Sequence, residues 1–331
     1  MALRIGIVGT GGVAQRNYIP FLAQQPDVSL GYFNRTAAKA EAAAAEHGGQ
    51  VFPSIEALMA WGPDTVFVLT RETDRYEAIS ALLDHDPRRL FFEKPLVARQ
   101  GQAHVSEQDF FDARELMRRV AAQGCQTAMI FNYRFFDQSL AAKRLIAERE
   151  FGRAVNLIGL VHYACWSHAI DLVHYYAGPI AEISALDGKW THQGAGMESC
   201  DIAAAFRTEG QATGTLIGTS GADFRFPLTE MILSFESGRI HMRGLDGDME
   251  VLDYHGNRHE LFSIVRDRSR WNQYDDSFKK SIAAYLDSLR TGQEPPVPGI
   301  AGLQELQVEA GMRRSAAQGR PVVLADEFPL E

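Results

Sequence analysis

Cysteine is scarce: Cys125, Cys165 and Cys200 are the only three in 331 residues, and they lie far apart. An odd, scattered set excludes a disulfide framework and fits a reducing compartment. No Cys-x-x-Cys or paired-histidine spacing accompanies them, so no metal site is expected. No apolar run approaches the roughly 18 residues that a membrane-spanning helix needs. The opening Met1-Ala2-Leu3-Arg4-Ile5 runs straight into a strand pattern and leaves no room for a signal peptide. Basic blocks are absent too, and the formal net charge of -9 argues against nucleic acid as a partner. These absences point to a cytoplasmic, water-soluble chain with no membrane partner.

What is present is a β/α alternation in the first half. The expected fold is α/β: a doubly wound parallel sheet of Rossmann type over residues 1–127, then an α/β domain over 128–331. Leu3 to Val8 reads as a buried parallel strand, followed at once by Gly9-Thr10-Gly11-Gly12-Val13-Ala14. That is a G-x-G-x-x-A fingerprint. Gly9 permits the tight turn, Gly11 lets the backbone approach a pyrophosphate, and Ala14 keeps the following helix close to the strand. A second strand, Ser29 to Phe33, ends at Asn34-Arg35-Thr36, with Lys39 nearby. An NAD site usually places a carboxylate there; Asn34, Arg35, Thr36 and Lys39 suit a ribose phosphate instead, so NADP is favoured, with NAD possible. Thr70 and Arg71 leave the third buried strand at its C-terminal end, where such sheets bind ligands. Arg89 to Phe92 forms another strand, ending in Glu93-Lys94-Pro95. Glu93 and Lys94 close the expected cofactor set, and Lys94 is placed to reach a substrate beside the nicotinamide.

Beyond Gln126, strand candidates run from Ala154 to Tyr163 and then through Ile180–Leu186, Ile202–Arg207, Ala212–Thr219, Glu230–Phe235, Arg239–Arg243, Glu250–Tyr254 and His259–Phe262. Turn residues such as Asp246-Gly247 separate some of them, as in a meandering sheet. Helical spacing covers His168 to Tyr176, Asp275 to Leu289 and Ile300 to Ala317.

With Asn132-Tyr133-Arg134-Phe135, His168-Ala169-Ile170-Asp171-Leu172 and the tail from Phe278 through Gly319-Arg320-Pro321, the chain resembles the glucose-fructose oxidoreductase/inositol dehydrogenase (Gfo/Idh/MocA) family. The resemblance implies a second domain with an open, mostly antiparallel sheet that often makes subunit contacts, hence a homodimer or homotetramer. It also implies that Lys94 lies near the reacting carbon and that His168 serves as acid/base. The implied reaction is hydride transfer between a nicotinamide and a secondary alcohol or ketone carbon of a small carbohydrate-like molecule: a sugar, sugar derivative or cyclitol.

The chain departs from that pattern near the expected substrate. Ala164 stands where the family usually has an aspartate, four residues before the histidine. Tyr163 is the first substitute as a proton relay, with His162 and Asp171 as others. The connection from Tyr163 to His168 is short, which suggests a more open cleft. Arg75 replaces a common histidine, and Ala98 to Gln108 is an extra stretch. Trp166 is the aromatic best placed to stack on a sugar. Tyr133, Arg134 and Asp171 complete the substrate candidates, although Tyr133 and Arg134 also suit a domain junction and Asp171 a helix start. Two other functions compete: a silent dinucleotide-binding sensor, and a nicotinamide-dependent glycosidase.

Overall fold

The alternation of the first half closes into one sheet. The computed structural model describes residues 2–331 apart from 195, 222, 224–226 and 264–268. Six strands, β1 (Leu3–Val8), β2 (Val28–Phe33), β3 (Gln50–Val51), β4 (Thr65–Val68), β5 (Arg89–Phe92) and β6 (Gln126–Met129), pair in the order β3-β2-β1-β4-β5-β6. Every pairing is parallel. This doubly wound order buries both faces, which is why β1 and β4 read as continuous apolar runs rather than as alternation.

The turn after β1 is followed by a short run, Ala14–Tyr18, wound more loosely than an α-helix. Pro20 has no amide to donate to Arg16, and the Ile19 amide instead reaches back five residues to the Ala14 carbonyl. That widened turn aims Tyr18 into the core, edge-on to Phe67, Phe91 and Phe278.

The second sheet contains β7 (Ala154–His162), β8 (Ile180–Gly194), β9 (Met197–Thr208), β10 (Thr213–Thr219), β11 (Thr229–Phe235), β12 (Gly238–Arg243), β13 (Met249–Asp253), β14 (Arg258–Phe262) and β15 (Val322–Val323), in the order β14-β13-β12-β11-β7-β10-β9-β8-β15. Only β7 and β10 run parallel, so the sheet is mixed and mostly antiparallel, as expected. β8 and β9 run well past Leu186 and Ile202, where the apolar alternation stops, because they pair with each other as a long hairpin.

Helices Trp166–Ala177 and Ile300–Gln318 cover one face of this sheet; Gly311, for example, packs against Leu324 and Ile183. On the other face, Leu186, Ala203, Ile217 and Leu160 stand in one cross-strand row, with Leu186 72% exposed. Helix Arg270–Thr291 returns to the first sheet, where Phe278, Ile282, Tyr285 and Leu286 join Ile5, Ile7, Phe67 and Phe91 in one core. The Tyr285 and Thr65 hydroxyls share a 2.7 Å hydrogen bond there. This return fixes the orientation of the two sheets. No helix among the described residues is long and apolar enough to cross a membrane.

Candidate active site at the junction of the two sheets

The glycine-rich turn has the form its residues dictate. Gly9 sits at φ +97°, and a β-carbon there would lie 2.7 Å from the Thr70 amide nitrogen, so neither the dihedral nor the space admits a side chain. Over Gly11 and Gly12 the space is open, and Val13 is exposed. Around the turn, the buried side-chain oxygens of Thr10, Asn17 and Thr70 have no hydrogen-bond partner among the described residues. Open backbone, a helix start and unsatisfied hydroxyls fit a dinucleotide laid across the turn.

At the end of β2, Asn34 accepts from the Thr10 amide at 3.0 Å and donates to the Thr36 carbonyl at 3.0 Å. Asn34 therefore shapes the turn from its side. Arg35 is 86% exposed and only loosely paired with Asp74, at 3.6 Å. Lys39 and Arg71 are exposed as well.

Three contacts fix the mouth of β5. Tyr18 donates to Glu93 Oε1 at 2.6 Å, and Glu93 Oε2 accepts the Lys94 amide at 2.9 Å. Burial holds the Tyr18 phenol well above its ordinary range, so it remains a donor. Arg75 is buried and donates to the carbonyls of Thr70 (2.8 Å), Glu93 (2.8 Å) and Pro95. The residue that departs from the family histidine thus ties the ends of β4 and β5 together. Nothing in the local sequence signals that role, because all three acceptors are backbone.

Lys94 then projects into a cavity of about 470 Å³. Its ammonium donates to Gln102 Oε1 at 2.9 Å and to the Ala164 carbonyl at 3.3 Å, leaving a third N–H for a ligand. His168 lines the same cavity. Its ring stacks on Tyr133 at 4.0 Å with an interplanar angle of 4°, and Phe131 meets it edge-on. Burial, then the nearby Lys94 charge, hold its pKa well below the ordinary imidazole range, so the ring is neutral at pH 7. No donor or acceptor among the described residues reaches His168 Nδ1. Tyr133 bonds Cys165 Sγ at 3.0 Å. Gly12, Val13 and Arg16 form the opposite wall, so the dinucleotide turn and the Lys94–His168 pair share one space.

Other candidates lie elsewhere. The Tyr163 hydroxyl donates to the Cys200 carbonyl at 2.9 Å, and the side chain is buried outside the cavity. His162 Nδ1 accepts the Ala164 amide at 3.0 Å. Asp171 is buried and bidentate with Arg134, at 2.7 and 2.5 Å, and neither lines the cavity. Trp166 is among the largest fully buried side chains; the cavity wall carries Tyr133, Phe136, Trp271 and Tyr274 instead. The short β7–His168 connection contributes only Ala164 and Cys165 to the wall. Gln102, Met197 of β9, Leu228 and Leu245 enclose the remainder. The apolar spacing around Trp166 suits either core or ligand, and the arrival of Gln102 and Met197 depends on long-range folding.

Residues 3–130 match the model of the family described as "Oxidoreductase family, NAD-binding Rossmann fold" (GFO_IDH_MocA). No curated protein matches the chain significantly. Solved structures share the whole fold. An oxidoreductase from Agrobacterium radiobacter, in complex with NAD+, L-tartaric acid and magnesium, has a TM-score of 0.81 at 15% identity, covering 99% of this chain and 100% of that one. An NAD-binding oxidoreductase from Klebsiella pneumoniae has a TM-score of 0.79 at 17% identity, covering 98% and 99%. The WlbA dehydrogenase from Bordetella pertussis, in complex with NADH and UDP-GlcNAcA, has a TM-score of 0.74 at 18% identity, covering 98% and 99%. Residues 3–130 thus resemble the Gfo/Idh/MocA oxidoreductase family, and the chain as a whole shares the fold of these solved neighbours.

Proposed function

We propose that the protein is an NADP-preferring oxidoreductase that moves a hydride between the nicotinamide and a secondary alcohol or ketone carbon of a sugar, sugar derivative or cyclitol. The observation that carries this reading is the single cavity in which Lys94 and His168 face the glycine-rich turn. A bound nicotinamide would supply the hydride acceptor or donor. Gly9 through Ala14, with Thr70, would hold its pyrophosphate end; Arg35 and Lys39 would meet a ribose phosphate. Lys94 would hold the carbinol oxygen through its third N–H and stabilise the charge that develops there. His168, neutral at pH 7, would accept the hydroxyl proton on oxidation. Tyr133 keeps the imidazole plane fixed by stacking.

The neighbours that hold NAD+ or NADH together with a hydroxy acid or a nucleotide sugar support this class. Residues 1–127 would form the dinucleotide domain and 128–331 the substrate and assembly domain. The exposed row Leu186–Ala203–Ile217–Leu160 would close against a second copy, giving a homodimer or homotetramer in the cytoplasm.

Fluorescence titration with NADPH and NADH, followed by a panel of keto-sugars, sugars and inositols, tests the reading. Tighter binding of NADPH, with oxidation of the bound cofactor by a keto-sugar, is the expected outcome. Failure to bind either dinucleotide would overturn it. Binding with silence across the panel would favour the sensor reading that Ala164 invites.

A further inference from the structure

We infer that the substrate of this cavity carries a carboxylate, as aldonic and uronic acids do, and that Gln102 sets this preference by leaving Lys94 without a fixed anionic partner. The inference rests on the oxidoreductase reading of the same cavity and adds the charge of its substrate.

Charge balance points to this. Among the described residues three cations line the cavity: Arg16, Lys94 and Arg270. Arg16 is paired with Asp275 at 3.1 Å and Arg270 with Asp246 at 2.6 Å. Asp246 is the one carboxylate among the described lining residues, and it is engaged. Among the described residues Lys94 meets only neutral oxygens, those of Gln102 and Ala164, and makes no ion pair.

Carboxyl groups close to the lysine do not change this. Glu93 turns its two oxygens to the Tyr18 hydroxyl and the Lys94 amide, and lies within the field of the buried Arg75 guanidinium. Glu305 is completely buried against Glu309; burial and that neighbour raise its pKa against the opposing pull of Lys94, and no N–H or hydroxyl among the described residues reaches either oxygen, the setting of a protonated carboxyl. His168 is neutral. One positive charge is therefore left over, between apolar walls formed by Phe136, Met197, Leu228 and Leu245. In such surroundings the Lys94 charge favours a substrate that carries a carboxylate nearby over one that carries none, because screening is weak; the third N–H stays with the carbinol oxygen.

Gln102 is held in place, not loosely draped over the site. It belongs to the extra stretch from Ala98 to Gln108, where two successive turns are closed by Gly101 N to Ala98 O at 3.0 Å and His104 N to Gly101 O at 2.9 Å. Gly101 adopts φ +91°, and Ala103 and Val105, which follow Gln102, are buried. Gln102 is thereby projected at Lys94 and toward Met197, whose sulfur is 3.9 Å from its amide nitrogen. The chain has a methyl group at Ala164 and an amide at Gln102, and the substrate supplies the missing negative charge.

The test is calorimetric titration of the NADP+-saturated protein with two matched pairs, gluconate against glucitol and galacturonate against galactose. Each acid should bind at least about tenfold more tightly than its neutral counterpart, with the difference shrinking as salt rises. Gln102→Glu places a carboxylate against Lys94 and should abolish the preference, while NADP+ affinity and melting temperature stay unchanged. Ala164→Asp should do the same from the opposite side. Equal binding of acid and neutral partner by the natural protein would overturn the inference. So would an acid preference that survives both substitutions, or binding of neither acid to protein saturated with NADP+. Failure to bind either NADP+ or NAD+ would instead remove the oxidoreductase reading, and this inference with it.

Discussion

Replacing Glu305 by glutamine should make the protein more stable, and increasingly so as the pH rises. Glu305 and Glu309 lie one turn apart on helix Ile300–Gln318, and Glu305 is 0% exposed. No N–H or hydroxyl among the described residues reaches either Glu305 oxygen; its partner is the Glu309 carboxyl, and a bond between two carboxyls requires a proton. Burial first, and Glu309 second, raise the pKa of Glu305 well above its ordinary value. In the unfolded chain the same group releases its proton near pH 4.3, roughly the free glutamate value. Above that pH the unfolded state gains by ionising while the folded state holds its proton. The stability contributed by Glu305 is thus fully present below the unfolded pKa and is lost as pH rises toward the folded one. One proton corresponds to about 1.4 kcal/mol per pH unit across that window. Glutamine keeps a donor for Glu309 and removes the proton linkage. Urea unfolding of both proteins at steps from about pH 5 upward should show the advantage of Glu305→Gln growing with that slope. Parallel stability–pH curves would mean that Glu305 is ionised in the folded protein. It would then be a counter-ion for Lys94, and the charge argument for an acidic substrate would fall too.

Three further substitutions address the cofactor and the chemistry. Arg35→Asp should weaken NADPH at least about tenfold more than NADH in fluorescence titrations, because Arg35 is exposed and its contact with Asp74 is loose; equal losses would refute the phosphate assignment. Lys94→Ala should reduce turnover about a hundredfold or more while NADPH affinity changes little, and wild-type turnover would remove Lys94 from the mechanism. Gly9→Ala imposes φ +97° on a side chain and drives it against the Thr70 amide. It should cost about 1–3 kcal/mol in thermal or urea unfolding and weaken NADPH binding; an unchanged melting temperature would show that the turn can adjust.

Much of the fold is legible in the sequence because local signals and tertiary packing agree. The helix Ala37–His47 ends at Gly48, and Ser54 caps the next helix by accepting the Ala57 amide. Strands β1, β2, β4 and β5 of the first sheet are marked by apolar runs, whereas β3 (Gln50–Val51) and β6 (Gln126–Met129) carry no such run and are not legible in the sequence. Legibility fails where pairing extends an element beyond its pattern. Residues 187–193 of β8 are exposed, Trp190 at 81%, and lack alternation, yet the strand continues because Asp187 and Thr191 to Gln193 pair with β9 on either side of an irregularity in register. The helix Glu107–Ala122 begins at Ser106 with Asp109 completing a capping box, a signal that the unusual stretch before it obscures.

The candidate site divides along the same line. Gly9, Lys94 and His168 are readable because each sits at a fixed offset from a strand or helix end, and the fold converts offset into position. Gln102, Met197 and Arg270 reach the cavity through a tight double turn, a hairpin and a returning helix, so no spacing in the sequence ties them to Lys94. Tyr163 shows the opposite failure. Adjacent in sequence to Ala164, it is a natural substitute for a missing carboxylate. Tyr163 instead opens a 3-10 turn, Tyr163–Cys165, just past β7, where its ring packs edge-on to Trp166 and its hydroxyl donates to the Cys200 carbonyl. Its side chain therefore lies outside the cavity that Ala164 lines. Compensation has to come from another segment that reaches the same space, and Gln102 is the polar side chain that does.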